Sequence, residues 1–282
     1  MASPTSYPNT KTSRAQPGVD LRWPASAIWR PGEPKVLRIT TSDVIDALTR
    51  GIDDFRAMPS HAIFLCFIYP LIGFLLYRIL SGYDMLPLIY PLTAGFALLG
   101  PVAAIGLYEL SRRRELGLDV SVTHAVDVLH SPSIGAIARL GFVLAALFFG
   151  WLYAAEVIYT QIMGDTIPAS LGGFVEQVAT TSAGQQLFIV GNAVGFLFAA
   201  LVLVISVVSF PMLVDRADFG AATAVRTSIR AAIENPAPVA LWGFIVALAL
   251  LIGALPLFVG LAVVLPVLGH ATWHLYRKLV EV

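Results

Sequence analysis

Charged side chains are scarce in this sequence. They make up 13% of its 282 residues, whereas soluble globular domains carry about 25%. Hydrophobic residues make up 57%, and the mean hydropathy is +0.78. This balance excludes an ordinary water-soluble domain and indicates an integral membrane protein. The net charge is zero, so no overall positive field favours nucleic acid as a partner.

Cysteine and catalytic motifs are also nearly absent. The one cysteine, Cys66, excludes an internal disulfide and the cysteine pairs of zinc or redox sites, so its expected role is packing. The sequence contains no serine–histidine–aspartate arrangement, phosphate-binding loop, dinucleotide fingerprint or catalytically spaced pair of carboxylates. We therefore expect neither enzymatic activity nor a cofactor.

Six apolar stretches are long enough to cross the hydrocarbon core, for which a helix needs about 20 residues. The predicted spans are Ala62–Leu80, Met85–Leu110, Ile134–Met163, Leu187–Val214, Val239–Leu255 and Leu257–Leu279. They are continuous apolar runs rather than alternating ones, which favours helices over barrel strands. The predicted fold is an all-α membrane protein with six transmembrane helices.

The distribution of positive charge predicts the orientation. All but two of the 18 Lys and Arg residues fall in the amino-terminal tail, in the second and fourth gaps between the spans, or at the carboxyl end. Met163–Gly184 and Gly253–Pro256 contain none. Because positively charged loops stay in the cytoplasm, both termini are predicted to be cytoplasmic. Residues 1–38 are polar and rich in Pro, Ser, Thr and Arg. They are predicted to form a disordered cytosolic arm before a transmembrane domain at residues 39–282.

Three short amphipathic stretches precede the first, third and fifth spans. Each ends at a proline, which is Pro59, Pro132 or Pro236. Apolar residues stand seven and four positions before each proline, which is typical of one helix face, and Ser42 is the expected N-cap of the first helix. We predict three transmembrane hairpins, each preceded by an amphipathic helix in the cytoplasmic interface. The units of this pseudo-threefold repeat are residues 42–114, 119–216 and 221–282. The alternative is that short helices and prolines recur by chance.

Few polar side chains lie inside the predicted spans, and each is a candidate functional residue because burial in lipid is costly. The candidates are Glu109, Arg139, Glu156, Asn192, His270 and His274. His270 and His274 are four residues apart and so share a helix face. Two such imidazoles can bind a metal, or a haem with a partner's help. The alternative is hydrogen bonding to carbonyl groups or lipid headgroups.

Other spacings favour structural roles. Glu109 precedes Arg112 and Arg113 by one turn, which favours an ion pair over a proton relay. Arg139 can extend its guanidinium to the interface, or pair with Glu109 or Asp127. Small residues at Gly191, Gly195 and Ala199 form a predicted helix-packing face.

Four stretches of the sequence together resemble a known family. They are DFRAMP from Asp54, PVAAIGLYELSRRR from Pro101, VVSFP from Val207 with Asp215-Arg216 after it, and the ending from Leu255 through Arg277. These stretches are similar to the DUF2189 family of predicted bacterial integral membrane proteins, over roughly Lys35 to the carboxyl end. The resemblance implies a location in the bacterial inner membrane. Some members are labelled cytochrome c oxidase subunits. Six spans and five histidines do not match a catalytic oxidase subunit, so the label implies at most an accessory protein.

The sequence leaves three functions open. The first is a non-catalytic accessory protein of a larger membrane complex, with a respiratory oxidase as the first expected partner besides the lipid bilayer. The second is a small transporter or channel along the pseudo-threefold axis, lined by Glu109, Arg139, Asn192 and His270. The third is a metal- or haem-binding protein that uses His270 and His274. The scarcity of polar groups in the spans favours the first.

Overall fold

The structure is a computed structural model that describes residues 34–58, 86–165, 168–256 and 258–281. Most of these residues are helical. Four of the described segments are long and apolar enough to cross a membrane, and they are Leu86–Glu115, Ile134–Met163, Ser182–Asp215 and Pro236–Ala254. They correspond to the second, third, fourth and fifth predicted spans. The first predicted span, Ala62–Leu80, with Cys66, and residues 1–33 of the predicted arm lie outside the described residues.

The described elements follow one another in this order. The α-helices are α1 (Thr41–Ala57), α2 (Ile89–Phe96), α3 (Gly100–Ala103), α4 (Ile105–Glu115), α5 (Ile134–Met163), α6 (Leu171–Thr180), α7 (Ser182–Ser206), α8 (Ser209–Asp215), α9 (Ala221–Glu234), α10 (Pro236–Ala254) and α11 (Leu261–Leu279). The 3₁₀ helices are Leu86–Leu88, Ala97–Leu99 and Val122–His130. The strands are β1 (Lys35–Val36) and β2 (Val280–Glu281).

The two strands form a short antiparallel pair in which Lys35 lies opposite Glu281. Asn235, between α9 and α10, binds the chain just after β1. Its Oδ1 accepts from the backbone N–H of Ile39 at 2.8 Å, and its Nδ2 donates to the carbonyl of Leu37 at 3.0 Å. The predicted transmembrane domain starts at residue 39. The packed part of the chain begins earlier, because β1 and Leu37 already contact other elements.

Helix α1 is the first of the three predicted amphipathic helices. It begins at Thr41 with Thr40 as its N-cap, and not with Ser42 as the sequence predicted. The Asp43 carboxylate accepts from the backbone N–H of Thr40 at 2.9 Å, which completes a capping box. The other two stretches are also helical, as the 3₁₀ helix Val122–His130 and as α9.

Helix α5 has the bounds predicted from the sequence. Gly164 ends it with a φ of 72°, a conformation that glycine adopts without steric cost. Ile137, Leu140 and Leu144 are buried on one side of the helix, whereas Phe142 is 76% exposed. The exposed apolar side is suited to contact with lipid or with another membrane helix.

The second and fourth predicted spans are broken at prolines. Pro101 lies in α3, a helix of only four residues, and a proline inside a helix removes one backbone hydrogen bond. In the fourth span, α7 ends at Ser206 and the chain resumes as α8, which contains Pro211. The Ser228 hydroxyl of α9 accepts from the N–H of Val208 at 3.2 Å and donates to the carbonyl of Val204 at 2.7 Å. A neighbouring side chain thus satisfies the backbone at this break, as proline-containing membrane helices require.

Helix α11 corresponds to the sixth predicted span. It is not among the described segments that are apolar enough by composition to cross a membrane, because its second half carries His270, His274, Arg277 and Lys278. The start of α11 packs against the end of α10. A Cβ added to Gly260, just before α11, would lie 2.8 Å from the carbonyl oxygen of Gly253 in α10. The six-span count and the threefold repeat stay predictions.

Candidate functional site

Close helix crossings bring polar side chains of α1, α4 and α11 together. A Cβ added to Gly269 of α11 would lie 2.5 Å from a methyl group of Leu107 in α4, and Gly51 of α1 lies against Ala271 of α11. Small residues at such crossings let helix backbones approach closely. As a result, the side chains that follow within one turn of each crossing face one another.

Asp54 is the centre of this junction. Its carboxylate, in a residue only 4% exposed, accepts from the Ser111 hydroxyl at 2.6 Å and from Nε2 of His274 at 2.9 Å. The Arg114 guanidinium donates to the second carboxylate oxygen. Burial alone raises the pKa of Asp54, but the hydrogen bonds from His274 and Ser111 and the charges of His274 and His270 outweigh it, so the net pKa is lowered. Asp54 is therefore held as a carboxylate.

Ser111 links Asp54 to His270, and both Ser111 and His270 are buried. The Ser111 oxygen lies 2.8 Å from Nδ1 of His270. Because the single hydroxyl proton is donated to Asp54, Nδ1 must donate to the Ser111 oxygen and therefore carries a proton. A nucleophilic serine donates instead to a neutral base. The arrangement thus links α1, α4 and α11 and does not activate Ser111.

Glu109, one of the predicted site residues, is fully buried in an ion pair on α4. Its carboxylate accepts from Nε of Arg112 at 2.7 Å and from Nη2 at 2.9 Å. Arg113 lies 3.6 Å from Glu109 and also 3.6 Å from Asp127. The ion pair expected from the spacing is present, and Arg139 does not take part in it.

Further contacts connect the end of α11 to three other helices. Trp273 Nε1 and Arg277 Nε donate to the Glu115 carboxylate of α4 at 2.8 and 3.0 Å. Asp215 of α8 accepts from the Tyr276 hydroxyl at 2.8 Å. Lys278 Nζ lies 3.2 Å from Asp43 and 2.9 Å from Asp46, both in α1. The ends of α4, α8 and α11 and the start of α1 therefore meet in one charged network.

The other predicted site residues do not join this junction. Asn192 accepts from the Tyr90 hydroxyl and donates to the carbonyl of Phe188, both at 2.7 Å. Arg139 and Glu156 are exposed, and within the described ranges neither has a hydrogen-bond or ionic partner. The structure therefore brings together only His270 and His274, through Ser111 and Asp54.

The predicted packing face on α7 is only partly occupied. A Cβ on Gly195 would lie 3.0 Å from the Trp151 ring, whereas a Cβ on Gly191 would meet none of the described residues within 4 Å, and Ala199 is exposed. Trp151 also donates to the carbonyl of Pro91 at 2.7 Å and lies 2.5 Å from a Cβ added to Gly95. This tryptophan therefore fills the space between α2 and α7, and Gly191 stays open.

One ring nitrogen of each histidine contacts another side chain. His270 Nδ1 contacts Ser111 and His274 Nε2 contacts Asp54. Within the described parts of the chain, no group of three or more His, Cys, Asp or Glu side chains is arranged to hold a metal ion. A metal bound through His270 Nδ1 and His274 Nε2 would thus have to displace existing hydrogen bonds.

The sequence analysis did not identify Asp54, Ser111 or Arg114 as site residues. Their partners lie between 57 and 220 residues away along the chain, and no local spacing predicts such contacts. One signal was present for Asp54. It follows Val44, Ala47 and Gly51 at intervals of three, four and three residues, so a charged residue stands on the buried face of an amphipathic helix. Such a residue needs a partner.

The apolar helices and the polar junction between them define a helical integral membrane protein. Residues 89–215, from the start of α2 to the end of α8, match the DUF2189 family, described as predicted integral membrane protein. The family resemblance seen in the sequence is thereby confirmed over these residues. The stretches around Asp54 and after Leu255 lie outside the match. No curated protein and no solved structure matches the chain.

Proposed function

We propose that this protein spans a bacterial inner membrane six times, with both termini in the cytoplasm, and serves as a non-catalytic accessory protein of a larger membrane complex. The transmembrane domain would comprise residues 39–282, and the arm before it would stay in the cytosol. The two parts of the proposal, topology and role, rest on different observations.

Two contacts across the chain support six crossings. Arg277 contacts Asp215, and α10 lies between them, so α11 has to return across the membrane. Arg114 contacts Asp54, and the Leu86–Glu115 segment lies between them, so one more crossing is needed within residues 59–85. Ala62–Leu80 is an apolar run of suitable length for it. The arginines after α4 and α8 and at the end of α11 favour the cytoplasm for this side.

The observation that carries the accessory role is the mutual pairing of the buried polar groups. At the junction, Ser111 and His274 both bind the Asp54 carboxylate, so these polar groups are paired with one another. Ser111 donates its proton to a carboxylate and is therefore not activated as a nucleophile. A pathway along a threefold axis would need Glu109, Arg139, Asn192 and His270 around one space, yet each has different surroundings in the structure.

The open surface of α7 is the proposed contact for a partner helix. Phe188, Ile189 and Phe196 are each at least 60% exposed, and Gly191 between them has no neighbour within 4 Å. A small residue flanked by large apolar ones permits close approach of another membrane helix.

Site-specific photocrosslinking in native membranes tests this role. A photoreactive amino acid replaces Phe188 on α7 or, as a matched control, Phe142 on α5, which is 76% exposed. We expect position 188 to crosslink to a discrete membrane protein, which mass spectrometry identifies, and position 142 to crosslink to lipid. If both positions yield only lipid adducts, and the protein purifies alone in mild detergent, the accessory role is wrong.

A further inference from the structure

A groove of about 370 Å³ lies between α5, a membrane-spanning helix, and α9, one of the short amphipathic helices. Its floor is apolar and is formed by Leu140 and Val143 of α5 and by Ala222 and Val225 of α9. Two arginines also line it, Arg139 from α5 and Arg226 from α9. The groove therefore combines an apolar surface with two positive charges.

The two arginines differ from the basic residues of the charged network. Arg112, Arg114 and Arg277 each pair with a carboxylate. Arg139 has no such partner within the described residues, and Arg226 there has only a 3.3 Å contact with the Thr223 hydroxyl. Both arginine side chains are exposed. Their charges are thus free to bind an anion from outside the chain.

The position of Arg139 near the start of α5 suits the boundary between headgroups and acyl chains if α5 crosses the membrane. Arg139 stands five residues after the start of α5 at Ile134, which is about 8 Å along the helix axis. Beyond it, Phe142 and Val143 expose apolar side chains to the surroundings of the helix. An arginine at this depth extends its guanidinium toward the headgroups while its stem lies along apolar surface.

We propose that this groove binds a phospholipid with an anionic headgroup from the leaflet that faces the ends of α4, α8 and α11. The phosphate lies between Arg139 and Arg226, and the first part of an acyl chain lies on Leu140, Val143 and Val225. Guanidinium groups bind phosphate oxygens with two parallel hydrogen bonds, and anionic lipids are attracted to basic groups at the membrane surface. A zwitterionic headgroup adds a cation that two unpaired arginines repel. This inference requires only that the chain lies in a membrane and is independent of the accessory role.

Native mass spectrometry of the full chain tests the proposal. Protein in detergent is titrated with phosphatidylglycerol or with phosphatidylcholine of the same acyl chains, and the bound lipid is counted. We expect tighter binding of phosphatidylglycerol, weakened about fivefold by Arg139→Gln or Arg226→Gln and about 20-fold by the double variant. The control is Arg50→Gln with Arg56→Gln, which removes the same charge from exposed positions on α1.

A second variant separates the groove from general surface charge. Ala222→Trp fills the apolar floor without changing any charge, and we expect it to weaken phosphatidylglycerol binding as well. Equal binding of the two lipids, an unchanged affinity in Ala222→Trp, or an equal loss in the α1 control would each overturn the proposal. Displacement of phosphatidylglycerol by inorganic phosphate alone would also overturn it. So would the loss of a bound partner protein from the arginine variants while their lipid binding stays the same. Circular dichroism confirms that the variants are folded.

Discussion

Gly51 of α1 lies directly against the backbone of Ala271 in α11. A Cβ added to Gly51 would be 2.6 Å from both the nitrogen and the Cβ of Ala271, and 2.7 Å from its Cα. Real Cβ atoms do not approach other atoms so closely, and a backbone cannot move aside as a flexible side chain can. This contact sets the distance between the two helices and with it the position of Asp54 relative to His274.

Gly51→Ala is therefore expected to destabilise the protein, although alanine has the higher helix propensity. Overpacking of this kind costs about 1–3 kcal/mol, which exceeds the gain of about 1 kcal/mol from propensity. The unfolding midpoints of the wild type and the variant are compared by thermal unfolding in detergent. Gly135→Ala in α5 is the control, since Gly135 has nothing within 4 Å, and it should leave the midpoint unchanged or raise it. A midpoint for Gly51→Ala equal to that of the control would contradict the close crossing.

Replacing Asp54 by asparagine should weaken the junction. The carboxylate is lost as acceptor for Ser111, His274 and Arg114, and breaking a buried ion pair costs about 3–5 kcal/mol. Because the Arg114 side chain is 40% exposed and water screens it, we expect about 2 kcal/mol. Asp53→Asn is the matched control, since its contact with Arg56 is 4.0 Å long and exposed. That variant should change the free energy of unfolding by less than about 0.5 kcal/mol.

The stability contributed by Asp54 depends on pH in a defined direction. Its pKa in the folded protein lies below the ordinary value, which is about 3.9. The folded state thus favours the carboxylate, so the contribution is complete above about pH 4 and is lost as the pH falls through the folded-state pKa. Unfolding midpoints of the wild type and Asp54→Asn, measured from about pH 5 to about pH 2.5, should converge toward the acid end. Divergence on acidification would show that Asp54 does not act as a buried carboxylate.

Trp151 is expected to hold α2 to α5 through its indole nitrogen. Trp151→Phe keeps an aromatic ring between Gly95 and Gly195 but removes the 2.7 Å hydrogen bond to the carbonyl of Pro91. A lost neutral hydrogen bond costs about 1 kcal/mol, and the ring loses volume as well, so the unfolding midpoint should fall. Tyr153→Phe on the same helix, where the side chain is 74% exposed, should leave the midpoint unchanged. Equal effects of the two substitutions would argue against a specific role for the indole.

The six-span topology predicts which sites a membrane-impermeant thiol reagent can reach. Single cysteines are placed in a Cys66→Ser background at Leu116, Ala169, Val259 or Glu281, all exposed. In intact cells, we expect labelling at positions 169 and 259 and protection at 116 and 281, and after lysis all four should react. Labelling of position 281 in intact cells would mean that α11 does not return across the membrane.

The sequence predicted best those features that depend on neighbouring residues. Helix α5 has its predicted bounds because one uninterrupted apolar run specifies it, and the Glu109–Arg112 pair follows from helical spacing alone. The second span was predicted as one helix, but its prolines divide it into short pieces. The Asp54 junction depends on contacts up to 220 residues apart, and on a glycine that only the three-dimensional packing distinguishes from other glycines. The periodicity of apolar residues predicts neither these long-range contacts nor the role of this glycine.

The antiparallel pairing of β1 with β2 has a consequence for biosynthesis. Helix α1 leaves the ribosome before α11, yet residues of α11 cover much of its buried face. Until α11 is made, the Asp54 carboxylate lacks His274 as a partner, and β1 has no strand to pair with. The packing around α1 is therefore completed only after α11 has been synthesised, and a chain that terminates before α11 leaves an uncovered helix that cellular proteases can detect.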